Sequence, residues 1–171
     1  MSAEKMITIR NAKIDEFHEL EDVSVSSMSE PWREADFMSA EKNEYALILA
    51  AVEEDVKTGD NDDLAVYADA AALDAGNPVG YAVGYFAADE AELPSIAVSP
   101  QMRRHGIGDA LLNELFNQVK ARGAAKLFLE VRESNEAAIA LYEKNGFITA
   151  GTRRHFYSNP EEDALVMMKL L

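Results

Sequence analysis

The spacing of apolar and polar positions predicts strands and helices that follow one another along the chain. Residues 6–10 alternate between apolar and polar side chains, which is typical of a half-buried strand. Over residues 14–28 the apolar side chains return about every three positions, as on one face of a helix. Pro31-Trp32 interrupts this pattern, and a second helix is expected over residues 33–40 and a strand over residues 45–52.

The second half of the chain has a clearer pattern. Residues 106–121 carry an apolar row at i+4 spacing and are followed by Gly123, which predicts a helix closed by a left-handed glycine. Another helix is predicted over residues 135–144, because Asn145-Gly146 readily takes the same conformation. Strands are predicted at residues 79–86, 93–98, 126–131, 147–152 and 164–170. This order predicts an α/β fold with a mixed sheet, formed as one domain by residues 1–171.

One segment lacks such a pattern. Residues 53–77 are acidic, with a run of Asp and Asn at positions 60–63, and only residues 64–67 resemble a strand. We expect an acidic insertion at the surface, or an extended connection between two strands.

Charge narrows the possible partners. Thirty-one acidic residues against 16 basic ones give a formal net charge of −15. This argues against nonspecific binding to nucleic acid or to an anionic membrane, since both need positive charge. A cationic partner would be attracted instead, although solubility alone is the other explanation for the charge.

The absence of cysteine excludes two kinds of chemistry. Neither a disulfide framework nor acyl transfer through a cysteinyl intermediate is possible. No apolar run is long enough for a membrane span, and the polar start of the chain is unlike a signal peptide. A cytoplasmic protein is therefore expected.

The turn before the helix at residues 106–121 combines several features that bind anions. The first amides of a helix have no partner within it, and they lie at the positive end of the helix dipole. Gly106 and Gly108 lack a β-carbon, so an anion can approach the backbone closely, while Arg103, Arg104 and His105 add positive charge. A phosphate site is predicted, the alternative being a loop whose glycines only ease entry into the helix. The Lys-Ser/Thr of a Walker loop and the third glycine of a Rossmann turn are absent.

Two residues further along are candidates for proton transfer. Glu130 lies inside an apolar strand, where an ionised carboxylate is costly, so it is a candidate general base. A glutamate exposed to water at a strand end is the alternative. Tyr142 could return a proton to a leaving group, or it could be a core aromatic residue. It follows Asn135 by two helical turns on roughly the same face, and Asn135 could simply be the N-cap of that helix.

The basic turn resembles the signature of the GNAT superfamily. That signature is Q/R-x-x-G-x-G/A, and Arg103-Arg104-His105-Gly106-Ile107-Gly108 matches it. The resemblance implies the GNAT fold, in which a mostly antiparallel central sheet has a splayed parallel strand pair and is flanked by helices. It also implies acetyl-CoA as cosubstrate, with no metal.

The same resemblance assigns roles to backbone groups around the turn. In GNAT proteins the amides of this turn, which here continue through Asp109 and Ala110, hold the pyrophosphate of coenzyme A. The preceding strand, here Ile96-Ala97-Val98, parts from its neighbour at a bulge and pairs with the pantetheine arm.

Residues 129–147 resemble a narrower group, the RimI subfamily. These enzymes acetylate the N-terminal alanine of a small-subunit ribosomal protein and share the run Leu-Glu-Val-Arg-x-Ser-Asn-x-x-Ala-Ile-x-Leu-Tyr-x-x-x-Gly-Phe, which the chain matches. The resemblance implies that Glu130 is the general base, Tyr142 the general acid and Asn135 a coenzyme A contact.

The likeness to the RimI subfamily is looser outside residues 95–147. Trp32, Arg154 and Tyr157 lie where the subfamily has substrate-side residues. Phe156 stands in place of the first tyrosine of a usual Tyr-Tyr pair, so one hydroxyl is missing. Residues 53–77 have no counterpart in the subfamily.

The expected function is direct acetyl transfer, in a ternary complex, to the N-terminal α-amine of a basic ribosomal protein. Other acceptors stay open, namely a lysine side chain, a polyamine or another small amine, as does a non-catalytic acyl-CoA sensor. We expect no nucleic-acid or membrane partner, and a monomer or a homodimer.

Overall fold

Residues 5–55 and 76–171 are described by the computed structural model of the chain. Their elements, in chain order, are β1 (Lys5–Asn11), α1 (Phe17–Ser27), α2 (Glu34–Glu41), β2 (Ala46–Asp55), β3 (Asn77–Ala87), β4 (Glu90–Val98), α3 (Ile107–Ala121), β5 (Lys126–Arg132), α4 (Glu136–Lys144), β6 (Ile148–Ser158) and β7 (Glu161–Leu170). Short 3-10 turns precede α1, at Ile14–Glu16, and α3, at Pro100–Met102. None of these helices is both long and apolar enough to span a membrane.

The strands of the described ranges form one sheet in the order β1-β2-β3-β4-β5-β7-β6. Every neighbouring pair is antiparallel except β4 and β5, which run parallel. Helices α3 and α4 pack on one face, and α1 and α2 pack on the other. The predicted mixed α/β class is confirmed.

The parallel strands β4 and β5 separate soon after they begin. Only residues 90–92 of β4 pair with residues 126–128 of β5. Directly afterwards β4 carries one extra residue relative to β3, because Leu93 and Pro94 together oppose Gly84. A bulge of this kind bends the strand that carries it, and Pro94 has no N–H to donate to a neighbour. The strands therefore part, as the resemblance to the GNAT fold implied.

Two hydrophobic cores lie on opposite faces of the sheet. The core under α3 buries the apolar row predicted for this helix, formed by Ile107, Leu111, Leu115 and Val119. In the core under α1 and α2, the ring centroid of Phe37 lies 5.7 Å from that of Phe17 and 5.0 Å from that of Tyr81. These cores fix both helix layers against the separating strands.

The ends of α3 and α4 agree with the glycines of the sequence, but the start of α1 differs from its prediction. Gly123 (φ 99°) follows α3 and Gly146 (φ 85°) follows α4, as predicted. Ile14 was expected in the buried row of α1, but the residue is 55% exposed. It lies in the 3-10 turn, whose three-residue repeat does not continue the buried stripe of the helix.

Several strands are longer than their apolar runs predicted. β2 continues to Asp55 and β3 begins at Asn77, so both ends of the predicted acidic insertion belong to the sheet. Hydrogen bonds to the neighbouring strands keep these polar residues in the sheet. The apolar periodicity of the sequence cannot predict such strand ends, because they carry no apolar pattern. The rest of that prediction, residues 56–75 with the strand-like run at 64–67, lies outside the described residues. β6 likewise extends to Ser158 and includes residues 153–157.

Gly84 is predicted to be required for the packing of α3 on the sheet. A β-carbon at this position would lie 2.6 Å from Cδ1 of Leu115, which is fully buried. We expect Gly84→Ala to lower the free energy of unfolding by about 1–3 kcal/mol, as overpacking commonly does. The measurement is urea unfolding of both single variants and of the double variant Gly84→Ala/Leu115→Ala. The cost of Gly84→Ala should shrink when Leu115 is already Ala, and an unchanged cost would contradict this explanation.

Candidate active site

The gap between β4 and β5 exposes one edge of β4. The amide of Ser99 donates to the carbonyl oxygen of Val79 on β3 at 2.8 Å. Successive residues of a strand direct their backbone groups to opposite sides, so Ala97 also faces β3, while Ile96 and Val98 face the gap. The backbone of β4 therefore offers a row of polar groups beside β5 where no strand is paired with it.

The turn at residues 103–110 adds a cluster of amides at one end of this gap. Gly106 is the N-cap of α3 and has a left-handed conformation (φ 76°), and Arg104 is left-handed too (φ 64°). The first amide to bond into the helix is that of Ala110, which donates to the carbonyl oxygen of Gly106 at 3.0 Å. Within the described ranges, the amides of residues 104–109 have no backbone acceptor. Such a cluster can bind an anion.

The side chains of the turn have different roles from one another. Arg103 folds back, with Nε donating to the carbonyl oxygen of Val98 at 3.3 Å and Nη2 to that of Ser27 at 3.4 Å, so it braces the end of β4 against α1. His105 Nδ1 lies 2.9 Å from the carbonyl oxygen of Arg103. Arg104 is exposed to solvent. Of the three basic residues, Arg104 is the one whose charge faces solvent without an internal partner among the described residues.

The two glycines of the turn are required for different reasons. Around Gly106 a β-carbon would meet nothing within 4 Å, so the positive φ is what favours glycine there. At Gly108 a β-carbon would lie 3.0 Å from Cδ2 of Leu141 on α4. The sequence interpretation had assigned both glycines to anion approach, but Gly108 also allows α4 to pack closely on α3.

An ion pair fixes the start of α3 to the end of α4. Asp109 accepts hydrogen bonds from Lys144 Nζ at 2.7 Å and from Asn145 Nδ2 at 2.8 Å, and these contacts lower the pKa of the Asp109 carboxyl. At the other end of α4, Asn135 Oδ1 accepts from the amide of Ala138 at 3.2 Å. Asn135 is therefore the N-cap of α4, one of the two roles that the sequence allowed. The cap uses only the side-chain oxygen, so the side-chain NH2 group is not part of it.

Tyr142 lies on α4 at the edge of the core. Its side chain is packed against Phe147, with ring centroids 5.7 Å apart, and the residue is 7% exposed. Burial raises the pKa of the Tyr142 phenol, and the neighbouring Tyr157 raises it further. The phenol is thus protonated at every pH near neutrality and can donate a hydrogen bond. Its hydroxyl has no hydrogen-bond partner in the described part of the chain.

The apolar neighbours of Glu130 in the sequence suggested that its carboxylate is buried in the apolar core, but the structure places it elsewhere. Side chains alternate along β5, so Leu129 and Val131 enter the core under α3 and α4 while Glu130 lies on the opposite face. Its side chain is 33% exposed, and Oε1 accepts from Arg153 Nη1 at 2.8 Å. Periodicity in the sequence could not show that a partner reaches it from β6.

Arg132, two residues further along β5, connects three segments around the gap, and sequence reasoning did not single it out. Its guanidinium lies 4.1 Å over the ring of Tyr157. Its acceptors, at 3.0–3.1 Å, are Glu30, Glu162 and the carbonyl oxygens of Asn159 and Pro160. The only signal for Arg132 in the sequence was its place as the last residue of the Leu-Glu-Val-Arg run. Arg132 therefore links the loop before α2 to the hairpin of β6 and β7.

The predicted substrate-side residues differ in how firmly they are held. The amide of Trp32 donates to Ser24 Oγ at 2.8 Å, and its ring lies 5.4 Å from that of Phe37. Tyr157 is half-buried against Arg132. Arg154 is exposed and makes no hydrogen bond or ion pair within the described ranges. Arg132 thus brings Tyr157 and the loop that carries Trp32 to one side of the gap.

A buried polar network that sequence reasoning missed supports the Trp32 loop. The hydroxyl of Tyr81 on β3 lies 2.8 Å from Ser24 Oγ on α1 and 2.8 Å from Ser95 Oγ on β4. Tyr81 is fully buried, and burial raises the pKa of its phenol. Ser24 also accepts from the amide of Trp32. The Trp32 loop is therefore linked, through Ser24 and Tyr81, to the part of β4 that lies just after its separation from β5.

The chain belongs to the acetyltransferase (GNAT) family, whose profile matches residues 17–147. Within this family it is 47% identical over 94 residues to the [ribosomal protein bS18]-alanine N-acetyltransferase of Escherichia coli K12, a match over 54% of this chain and 64% of that protein. The chain therefore spans somewhat less than two thirds of the length of this curated relative. A putative enzyme of the same name from Bacillus subtilis is 29% identical over 93% of this chain and 92% of its own.

Solved structures extend the likeness to the whole fold. The ribosomal-protein-S18-alanine N-acetyltransferase from E. coli superposes with a TM-score of 0.75 at 32% identity, over 96% of this chain and 94% of that one. Ard1 from Thermoplasma volcanium (TM-score 0.76, 23% identity, 96% and 97% covered) and a chain of the NatC complex bound to Gag peptide and CoA (0.74, 22%, 96% and 98%) share the fold.

Metal ligands do not gather in the described residues. No three His, Asp or Glu side chains lie together there as a metal ion would require.

Gly106 and Gly151 form a matched pair for testing the geometry of the turn. An added β-carbon would meet nothing within 4 Å at either position, but only Gly106 has a positive φ. We expect Gly106→Ala to lower the free energy of unfolding by about 1–2 kcal/mol, the cost of a left-handed residue with a β-carbon. Gly151→Ala should change it by less than about 0.5 kcal/mol. Equal effects in chemical denaturation would show that backbone conformation does not explain Gly106.

Proposed function

We propose that the protein is a cytoplasmic N-acetyltransferase that moves acetyl from acetyl-CoA to the N-terminal α-amine of a protein. The proposed acceptor is the N-terminal alanine of a small-subunit ribosomal protein. The observation that carries the proposal is the gap between β4 and β5, which has a free strand edge, an amide cluster at one end, and the carboxylate of Glu130 on the bordering strand β5. Relatives named for alanine N-acetylation of a ribosomal protein support the choice of acceptor.

The residues present fit coenzyme A. The amides of residues 104–109 would hold its pyrophosphate, and the open space around Gly106 gives an anion access to them. The backbone groups of Ile96 are directed into the gap, where its carbonyl oxygen would pair with an amide of the pantetheine arm. The carbonyl oxygen of Val98 already accepts from Arg103 Nε and Ser27 Oγ, so only the Val98 amide is offered there. Ala110 is the weakest of the proposed contacts, because its amide is already bonded to Gly106. The cosubstrate supplies the acetyl group as a thioester.

The proton transfers are assigned to Glu130 on β5 and Tyr142 on α4. Glu130, directly or through a water, accepts a proton from the α-ammonium, which leaves a neutral amine to attack the thioester carbonyl carbon. A new C–N bond forms and the C–S bond breaks. The amide of Val98 is directed to stabilise the negative charge that develops on the carbonyl oxygen. Tyr142 donates its proton to the departing sulfur. The nitrogen gives up its second proton to solvent as the amide forms, and solvent returns a proton to Tyr142. No cysteine is available to carry the acetyl group on the way.

An acceptor panel tests the proposed function. The acceptors are an alanine-terminated peptide with a basic tail, the same peptide with a neutral tail, an N-terminally blocked peptide with one lysine, and spermidine. We expect the basic alanine peptide to release coenzyme A fastest, because the net charge of −15 attracts a cation. Its advantage over the neutral peptide should shrink between 0.1 M and 1 M salt, where the screening length falls from about 10 Å to about 3 Å. Faster turnover of spermidine or of lysine would contradict the choice of acceptor.

The roles of Glu130 and Tyr142 are tested by substitution. Glu130→Gln should lower kcat by about 10²–10⁴-fold, the usual size of a general-base effect, and should leave the affinity for acetyl-CoA unchanged. Tyr142→Phe should have a smaller effect, because water can replace the phenol. Glu133→Gln, an exposed glutamate in the loop after β5, is the control and should keep the wild-type rate. Wild-type turnover by Glu130→Gln would rule out this carboxylate as the base.

A further inference from the structure

We infer that Arg153 competes with the ammonium group of the acceptor for the carboxylate of Glu130, and so weakens the binding of every acceptor whose ammonium group must displace it. The inference rests on the proposed function. Its starting point is the ion pair between Arg153 Nη1 and Glu130 Oε1 at 2.8 Å, which places a cation on the proposed base.

The position of Arg153 in the sheet is set by an irregularity in β6. Arg153 pairs with Ala164 of β7, and the next paired residue is Tyr157, so residues 154–156 together oppose Asp163 alone. Arg153 is thus the last residue before β6 bulges away from its neighbour. Because β7 lies between β6 and β5, the side chain of Arg153 must cross β7 to reach Glu130. The residue of β7 that pairs with Arg153 is Ala164, whose small side chain leaves room for this crossing.

The bulge itself is held by specific contacts. His155 has a left-handed conformation (φ 54°), and its amide donates to Asp163 Oδ1 at 2.8 Å. The ring of Phe156 follows, with its centroid 4.4 Å from Cζ of Arg153. The guanidinium therefore lies between a carboxylate and an aromatic face. The ring offers it a favourable contact that does not depend on Glu130.

The ion pair is open enough to exchange partners. The side chain of Arg153 is 56% exposed and that of Glu130 33% exposed, and exposed pairs of this kind contribute little to stability. Two cations beside one carboxylate repel each other, so an incoming ammonium displaces the guanidinium. An acceptor without the ammonium group gains nothing by displacing it. Arg153 thus lowers the affinity for every charged acceptor by the cost of breaking the pair.

Binding of two matched peptides tests the inference. One is the basic alanine peptide, and the other is its des-amino form, with propionyl in place of alanyl. Affinities are measured by calorimetry on coenzyme A-saturated wild type, Arg153→Gln and the control Arg122→Gln. Arg122 also lies over a phenylalanine ring, with Cζ 5.4 Å from the ring centroid of Phe86. It follows the far end of α3, about 20 Å along the helix from the turn at residues 103–110. The control therefore loses the same charge and a similar ring contact.

Arg153→Gln should tighten binding of the amino peptide about two- to fivefold, the range typical of an exposed ion pair, and leave that of the des-amino peptide unchanged. Arg122→Gln should affect the two peptides alike. In a Glu130→Gln background, Arg153→Gln should no longer favour the amino peptide. Weaker binding of the amino peptide to Arg153→Gln, or an equal change for both peptides, would overturn the inference. Absence of peptide turnover in the wild type would instead refute the proposed function, and the inference with it.

Discussion

The parting of β4 from β5 is the constraint on which the rest of the site depends. If the two strands remained paired, the backbone groups of Ile96 and Val98 would be consumed by β5 and no edge would be available. The bulge at Leu93 and Pro94 prevents this, because it bends β4 and removes a donor where the pairing would continue. The loss of hydrogen bonds is limited, since β4 remains paired with β3 on its other side both before and after the bulge.

The packing of α4 on α3 links the two chemical ends of the site. Gly108 allows Leu141 to approach the first turn of α3, and Asp109 binds Lys144 and Asn145 at the end of α4. The helix that carries the candidate proton donor is thereby held against the helix that presents the amide cluster. A shift of one helix would move both groups relative to the gap.

Arginine ion pairs build the opposite side of the gap. Arg132 gathers the Trp32 loop and the hairpin of β6 and β7 around a largely buried guanidinium, while Arg153 approaches Glu130 from the edge strand. The planar guanidinium can bind several acceptors at once, which a lysine does not do as well. In a chain with a net charge of −15, these cations also offset the repulsion among carboxylates that the fold brings together.

The sequence by itself determined the class of fold, the helices and the amide turn, because these depend on local periodicity and on glycines whose conformation is a local property. Residues 106–121 and the two left-handed helix ends followed directly from such patterns. What surrounds Glu130 was decided by the tertiary structure, because strand alternation puts it on the opposite face from its apolar neighbours, and its partner Arg153 comes from two strands away. The roles of Arg132 and Tyr81 depend equally on contacts between residues far apart in the chain. No spacing within one segment specifies such contacts, since they arise only when the sheet has set its strand order.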